Sequence, residues 1–297
     1  MKNPPLVAAL GLISDTHFLE RLFCLPERLR EIWSGVDLIL HAGDVGSPEI
    51  LDELGRMAPV VAVHGNDDPD ETKRLLPEKQ VIPVRGHRIL VWHSHYPDPA
   101  EERTRRAGTW GLKLERIARH GMDAGADIVV YGHTHVPLIS RSGNVLLFNP
   151  GAMASGSFFT RQAVKTVGLL RLMEDGRFEI THFEASSGQR RESPAADPGE
   201  EFFRLGNAYQ ECLVDPELIP DSDRLRKIEY RNFRAVVRSV IPVYRRVCDG
   251  GLLRRRDLAA AFRTAADVDP FDREKVLAVL AGGSPPSADA TAIQNKL

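Results

Sequence analysis

The chain opens on an apolar run, residues 6–14, that passes straight into Asp-Thr-His, the pattern of a buried strand handing over to a polar loop. Residues 26–33 follow with helical spacing behind a proline, and residues 36–41 read as a second strand. Residues 48–57 make a second proline-led helix and residues 60–64 a third strand. Apolar runs alternating with helical ones predict a layered unit with helices covering the sheet faces. From about residue 80 the rhythm changes. Residues 81–84 and 88–93 flank Arg85-Gly86-His87 as a hairpin, residues 111–121 are helical, and residues 127–131 form a strand. Two further hairpins turn at Arg141-Ser142-Gly143-Asn144 and Glu174-Asp175-Gly176-Arg177. The expected fold class is α/β, a two-sheet sandwich flanked by helices.

Residues 186–200, rich in Ser, Pro, Gly and charge, read as a linker that closes a first domain of residues 1–185. Residues 201–282 read as an all-helical C-terminal extension, and residues 283–297 as a disordered tail. In the extension Phe233, Val236, Val237, Val240, Tyr244 and Val247 form an apolar stripe. Lys227, Arg231, Arg234, Arg238 and Arg245 line another face, with Arg254, Arg255 and Arg256 nearby. Pro242 is expected to kink or break that helix near its end. The stripe serves internal packing, a protein partner or a homodimer. The basic face is a solvated surface or steers an anion, nucleic acid included, although no aromatic residues interleave with the arginines for base stacking.

Composition narrows this little. At 42% hydrophobic and 27% charged residues with a formal net charge of -2, the 297-residue chain has ordinary globular character. It carries no global attraction to nucleic acid or membrane. Cys24, Cys212 and Cys248 are odd in number and lack CxxC spacing, so a disulfide framework is not expected. The N-terminal apolar run is too short to span a bilayer and shows no cleavage signal, and the expected location is cytoplasmic.

The chemistry sits where predicted strands end: Asp15 and His17, Asp44, then Asn66, Asp67 and Asp68, then His93 and His95, and finally His133 and His135. Loops beyond the carboxyl ends of such strands are where ligands bind, so these groups can converge in one crevice. Imidazoles, carboxylates and a carboxamide suit Mn, Fe, Zn, Co or Ni. In Asp15-Thr16-His17 and His133-Thr134-His135 the partners are two apart, on one face of an extended segment. His41, His64 and His95 flank the set and either orient ligands, protonate a leaving group or are polar loop residues. His87 and His120 read as turn residues away from it. Asn149-Pro150-Gly151 makes a turn or shapes the site.

The ordered pattern D-x-H, G-D, G-N-x-D, H, G-H-x-H over residues 10–185 resembles the calcineurin-like metallophosphoesterases. HAGDV, GHTH and NPGA look like their compact bacterial and archaeal phosphodiesterase branch, which is related to the scaffold subunit of retromer. The resemblance leaves the last third of the chain unmatched. It implies two divalent transition metals, one held by Asp15, His17 and His135 and the other by Asn66, His93 and His133, with Asp44 bridging. It implies a phosphodiesterase, with phosphomonoesterase activity open, that attacks a phosphate ester with hydroxide shared by the metals. The alternatives are a metal-binding scaffold with little turnover, or a nuclease using the basic helix face. Many members carry a histidine after G-N that meets the substrate; here Asp67 stands there, and Asn66 and Asp67 are the catalytic candidates. An ionised Asp67 repels a phosphate unless it is protonated, turned aside or neutralised by a metal. Asp68 reads as a hydrogen-bond acceptor behind the ligands.

Overall fold

The computed structural model describes residues 4–105 and 108–284. Strand β1 (Leu6–Ile13) alternates strictly: Ala8, Leu10 and Leu12 face one core, Ala9 and Ile13 another. It pairs in parallel with β2 (Leu38–Ala42), which pairs in parallel with β3 (Val60–Val63). Helices α1 (Leu29–Ile32) and α2 (Glu49–Gly55) connect them, and α3 (Asp70–Leu75) follows. Helix α1 is shorter than the sequence suggested because Leu29 N–H donates to Pro26 O, a three-residue turn that delays the α-helical pattern.

The following strands are β4 (Lys79–Val84), β5 (His87–Trp92), β6 (Ile128–Tyr131), β7 (Leu138–Ser142) and β8 (Val145–Asn149), with a short β9 (Thr160–Gln162). Then come β10 (Thr166–Met173), β11 (Phe178–Glu184) and β12 (Arg190–Arg191). One sheet runs in the order β12-β11-β10-β1-β2-β3 and the other β4-β5-β6-β8-β7. All three expected hairpins form, as β4–β5, β7–β8 and β10–β11.

Between the sheets lie Leu10, Leu12 and Leu40 from one and Val91, Val130 and Phe148 from the other. The far face of the first sheet is covered by Leu29, Trp33, Ile50 and Leu54, and Trp33 Nε1 donates to Gly168 O at 2.9 Å. The far face of the second, Leu90, Trp92, Val129 and Tyr131, is covered by Trp110, Leu114 and Ile117 of α5 (Trp110–Asp123). Four layers of helix, sheet, sheet and helix result. Helix α4 (Pro99–Arg105) is inserted between β5 and α5. Residues 186–200, linker-like in composition, lie on this unit: β12 pairs with β11, and Ser193 Oγ accepts from Ile139 N at 2.7 Å.

By contacts the chain divides into Met1–Gly156 with Gln162–Glu211, and Ser157–Arg161 with Cys212–Leu297. Helix α6 (Phe202–Asn207) falls in the first unit, and a short strand β13 (Gln210–Cys212) interrupts the run read as wholly helical. The second unit holds α7 (Ile219–Leu225), α8 (Phe233–Arg245), α9 (Arg255–Thr264) and α10 (Pro270–Leu280) around Leu218, Val236, Val243, Phe262 and Val279. Asn232 caps α8 by accepting from Ala235 N, and buried Asp272 accepts from Arg231 N and Asn232 N. Of the two outcomes expected at Pro242, a break there does not occur: α8 runs through it and ends three residues on, at Arg245. Proline there removes a single hydrogen bond, and buried Val243 and Tyr244 hold the last turn. Most of the apolar stripe packs within this unit, leaving Phe233 58% exposed. Some of the unit's arginines meet its own acids: Arg231 with Asp269, Arg255 with Asp221, Arg226 with Asp223. The predicted disordered tail lies largely outside the described residues.

Candidate metal centre

The polar clusters converge at one end of the sandwich. The loop after β1 runs beside the loop after β2: Asp15 N donates to Gly43 O, His17 N to Asp44 O and Phe18 N to Val45 O, each at 2.9 Å. Asp68 ties in the loop after β3, accepting from Gly46 N and Gly65 N at 2.7 Å. Three glycines permit the approach. A Cβ at Gly43 would lie 2.6 Å from His93 Nδ1, one at Gly65 2.1 Å from Asp44 Oδ1, and one at Gly132 2.5 Å from Ala42 O. These are the glycines of the G-D, G-N and G-H motifs, and their lack of a side chain is what the motifs require.

Asp15, His17, Asp44, Ser94, His133 and His135 all have positive φ, between 41° and 74°. Such left-handed backbone at non-glycine residues is costly and gathers where function over-determines it. It aims the side chains inward. Asp44 Oδ2 lies 3.6 Å from His17 Nε2 and 3.2 Å from His93 Nε2, and Asp15 Oδ1 lies 3.1 Å from His135 Nε2. Asp15, His17 and His135 offer ligand atoms within 4.8 Å of one another, as do Asp15, Asp44 and His93, and His17, Asp44 and Asp67. His17 Nε2, His93 Nε2 and Asn66 Oδ1 are buried without a hydrogen bond. Lone-pair donors sequestered from water and facing carboxylates suit a cation, so the residues present fit a metal.

The electrostatics agree. Burial pushes the Asp15 carboxyl up, but the charge and hydrogen bond of His135 override it, holding it at about 2. Burial acts likewise on Asp44, and His93 and His17 pull it well below the usual carboxylate range. His93 is depressed by burial yet raised to about 10 overall by Asp44. Each shift comes from the charge of the other group 3.2 Å away, and a cation would compete with that pairing for the same atoms. Burial lowers His17, with nearby Arg21 adding to it. Asp68 is pushed up to about 7 by burial and by the charge of Asp44.

Further side chains fix the candidate ligands. His93 Nδ1 faces Ala42 O at 2.8 Å, which sets the tautomer that turns Nε2 inward. His41, buried and depressed to about 4 by that burial, meets Thr16 Oγ1 at 2.9 Å and so holds the Asp15 loop. His95 is 8% exposed, with its ring centroid 5.6 Å from that of His93, so it belongs to the cluster; His64 lies beside it at 6.2 Å. Asn149 shapes the site: Nδ2 donates to Gly132 O and Thr134 Oγ1, and Met153 N and Ala154 N donate to Asp15 O. His87 pairs with Asp127 where β5 and β6 begin, and His120 lies on α5 against Trp92 rather than in a turn.

Asp67 is not turned away. It lies 40% exposed beside the cluster, where Arg21 Nη2 approaches Oδ2 at 3.4 Å and Asn66 Nδ2 donates to Oδ1 at 2.8 Å. Its charge is therefore offset by an arginine. Arg21, only 7% exposed and 2.6 Å from His17 Nδ1, escaped the sequence reading because it follows the D-x-H motif in a loop with no strand-end signal. His133 is placed less directly than the other ligand candidates. Its amide donates to the Asp15 carboxylate and its ring lies 5.1 Å from that of His93, but Nε2 faces Glu102.

Comparison with known proteins accords with this geometry. Residues 9–175 match the calcineurin-like phosphoesterase superfamily domain. A probable metallophosphoesterase of Methanocaldococcus jannaschii is 40% identical over 143 residues, 48% of this chain and 67% of that protein. The phosphodiesterase YfcE of Escherichia coli is 27% identical over 150 residues, 43% of this chain and 71% of that protein. In fold the chain is similar to vacuolar protein sorting 29 of Cryptosporidium parvum, with a TM-score of 0.50 at 22% identity over 63% of this chain and 96% of that one. With its motif loops gathered at one sheet end and the domain match spanning more than half its length, the chain belongs to the calcineurin-like phosphoesterase superfamily.

Proposed function

We propose that the protein is a phosphodiesterase that works with two divalent transition metals, manganese foremost, on a small or nucleotide-derived phosphodiester. The observation that carries this is Asp44 Oδ2 lying between His17 Nε2 and His93 Nε2. One carboxylate oxygen thereby faces a histidine from each expected metal position, as a bridging ligand must. Asp15, His17 and His135 would hold one ion, Asn66, His93 and His133 the other. Bound there, a metal pair supplies Lewis acidity that brings the pKa of water to about 7 and offsets charge on phosphoryl oxygens. The protein's part is to hold the donors rigid, through Asp68, His41 and Asn149, and to exclude water from them. Arg21 offsets Asp67, so an anionic ester meets less repulsion there.

The test is hydrolysis of an aryl phosphodiester and the matching monoester by metal-stripped protein, with and without Mn²⁺, beside Asp44→Ala. Manganese-dependent turnover, faster on the diester and reduced about 10²-fold or more in the variant, is expected. Equal rates with and without metal would overturn the reading. A faster monoester reaction would reassign the substrate class. Nucleic acid is the less favoured substrate, because part of the basic charge of the helical unit, at Arg226, Arg231 and Arg255, is paired with neighbouring acids.

A further inference from the structure

We infer that Glu102 is a positioning residue for the metal centre, orienting His133 through a carboxylate–imidazole pair; this rests on the two-metal reading above. Glu102 sits on α4 and is 6% exposed, a burial that an ionised carboxylate tolerates only when its oxygens are satisfied. They are: Oε1 lies 2.7 Å from His133 Nε2, and Oε2 accepts from Tyr96 N at 2.9 Å. Its neighbour Glu101 pairs instead with Arg105 one turn on, at an exposed position. The helix thus sends one of two adjacent glutamates inward.

The consequence for His133 is a fixed tautomer. With a carboxylate at Nε2 the ring keeps its proton on that nitrogen, which makes Nδ1 the lone-pair donor. His93 does the reverse, giving Nδ1 to Ala42 O and keeping Nε2 for the centre. A carboxylate behind a ligating imidazole also raises its basicity and so its affinity for a cation. The main-chain end of His133 is fixed separately, since its amide donates to Asp15.

Glu102 is itself anchored. Arg116 on α5 donates to Ser94 O at 2.7 Å and His95 O at 2.9 Å, and its guanidinium lies 3.8 Å from the Tyr96 ring centroid. The segment that carries the Tyr96 amide is thereby clamped, so Glu102 meets His133 from a fixed direction. These contacts join α5, the loop after β5 and α4 to the G-H-x-H loop.

Manganese titration of metal-stripped full-length protein by calorimetry, with metal content counted after gel filtration, tests this on wild type, Glu102→Ala, Glu102→Gln, Glu101→Ala and His133→Ala. Wild type is expected to bind two ions and His133→Ala to lose one. Glu102→Ala should weaken one site by about 10–100-fold and leave the other within twofold, with Glu101→Ala unchanged. Glu102→Gln, whose amide oxygen still accepts from Nε2–H, should recover part of the loss, which a merely structural role would not produce. Two sites of wild-type or tighter affinity in Glu102→Ala, with His133→Ala losing one, would overturn the role of Glu102 alone. A wild type that binds fewer than two ions, or a His133→Ala variant that keeps both, would overturn the two-metal reading and this inference together.

Discussion

A methyl group added at Gly65 would lie 2.1 Å from Asp44 Oδ1 and 2.6 Å from its amide nitrogen, so the Asn66 loop reaches Asp44 only because position 65 has no side chain. Gly65→Ala should therefore shift Asp44 or Asn66 by a large part of an ångström. Misplacements of that order cost roughly 10²-fold in rate, which kcat/KM for the diester would register, while far-ultraviolet circular dichroism stays that of the wild type. The glycines of the motifs were legible in the sequence as turn residues, but not what each one faces. Glu102 and Arg21 were not legible at all. One is a glutamate among charged neighbours on a surface-type helix and the other an arginine in a loop, and only folding shows which of several equivalent charges turns inward.

Among the elements, β1 shows how far patterning reaches. Its unbroken apolar run marked a buried strand, and in the structure the alternation of its side chains puts a different core against each face. What the alternation could not show is that Gly11 leaves room for Trp33: a Cβ there would stand 2.9 Å from the indole. Gly11→Ala is expected to cost about 1–3 kcal/mol, read as a lower denaturant midpoint with unchanged m. Strand β11 offers a pH test. His182 stacks on Phe148 at 4.4 Å with Nε2 2.7 Å from Asn149 O, and burial depresses it to about 4 from 6.5. The folded state holds this ring neutral. Its contribution is complete above about pH 6.5 and falls as the unfolded chain takes up a proton, levelling near pH 4, for a total of ~3 kcal/mol. Replacing His182 with Phe should make thermal stability fall less steeply across that window than in wild type, where buried His41 adds a like contribution, measured as Tm against pH for both. The strand ends, by contrast, were legible because strands ending at one sheet edge place their loops together. Helix ends without side-chain caps, such as that of α1, were not.

For the whole molecule, every residue expected to hold metal lies in the unit of Met1–Gly156 and Gln162–Glu211. A chain ending at residue 211 is expected to keep manganese binding within about threefold. It should lose stability where residues 157–161 leave the helical unit, since Phe159 O accepts from Leu213 N and Thr160 O from Tyr244 Oη there. Metal counting and thermal unfolding would separate the two effects, and loss of metal would show that the helices support the site. The left-handed residues around the centre have a consequence for stability as well. Six non-glycine residues held at positive φ, each costing on the order of 1–2 kcal/mol against an unstrained conformation, make the metal-free protein less stable than its fold alone would be. Bound ions return that energy by mass action. Manganese added after chelation should therefore raise the Tm of the wild type by more than that of an Asp44→Gly variant, with the same Tm increase in both overturning the link between strain and metal.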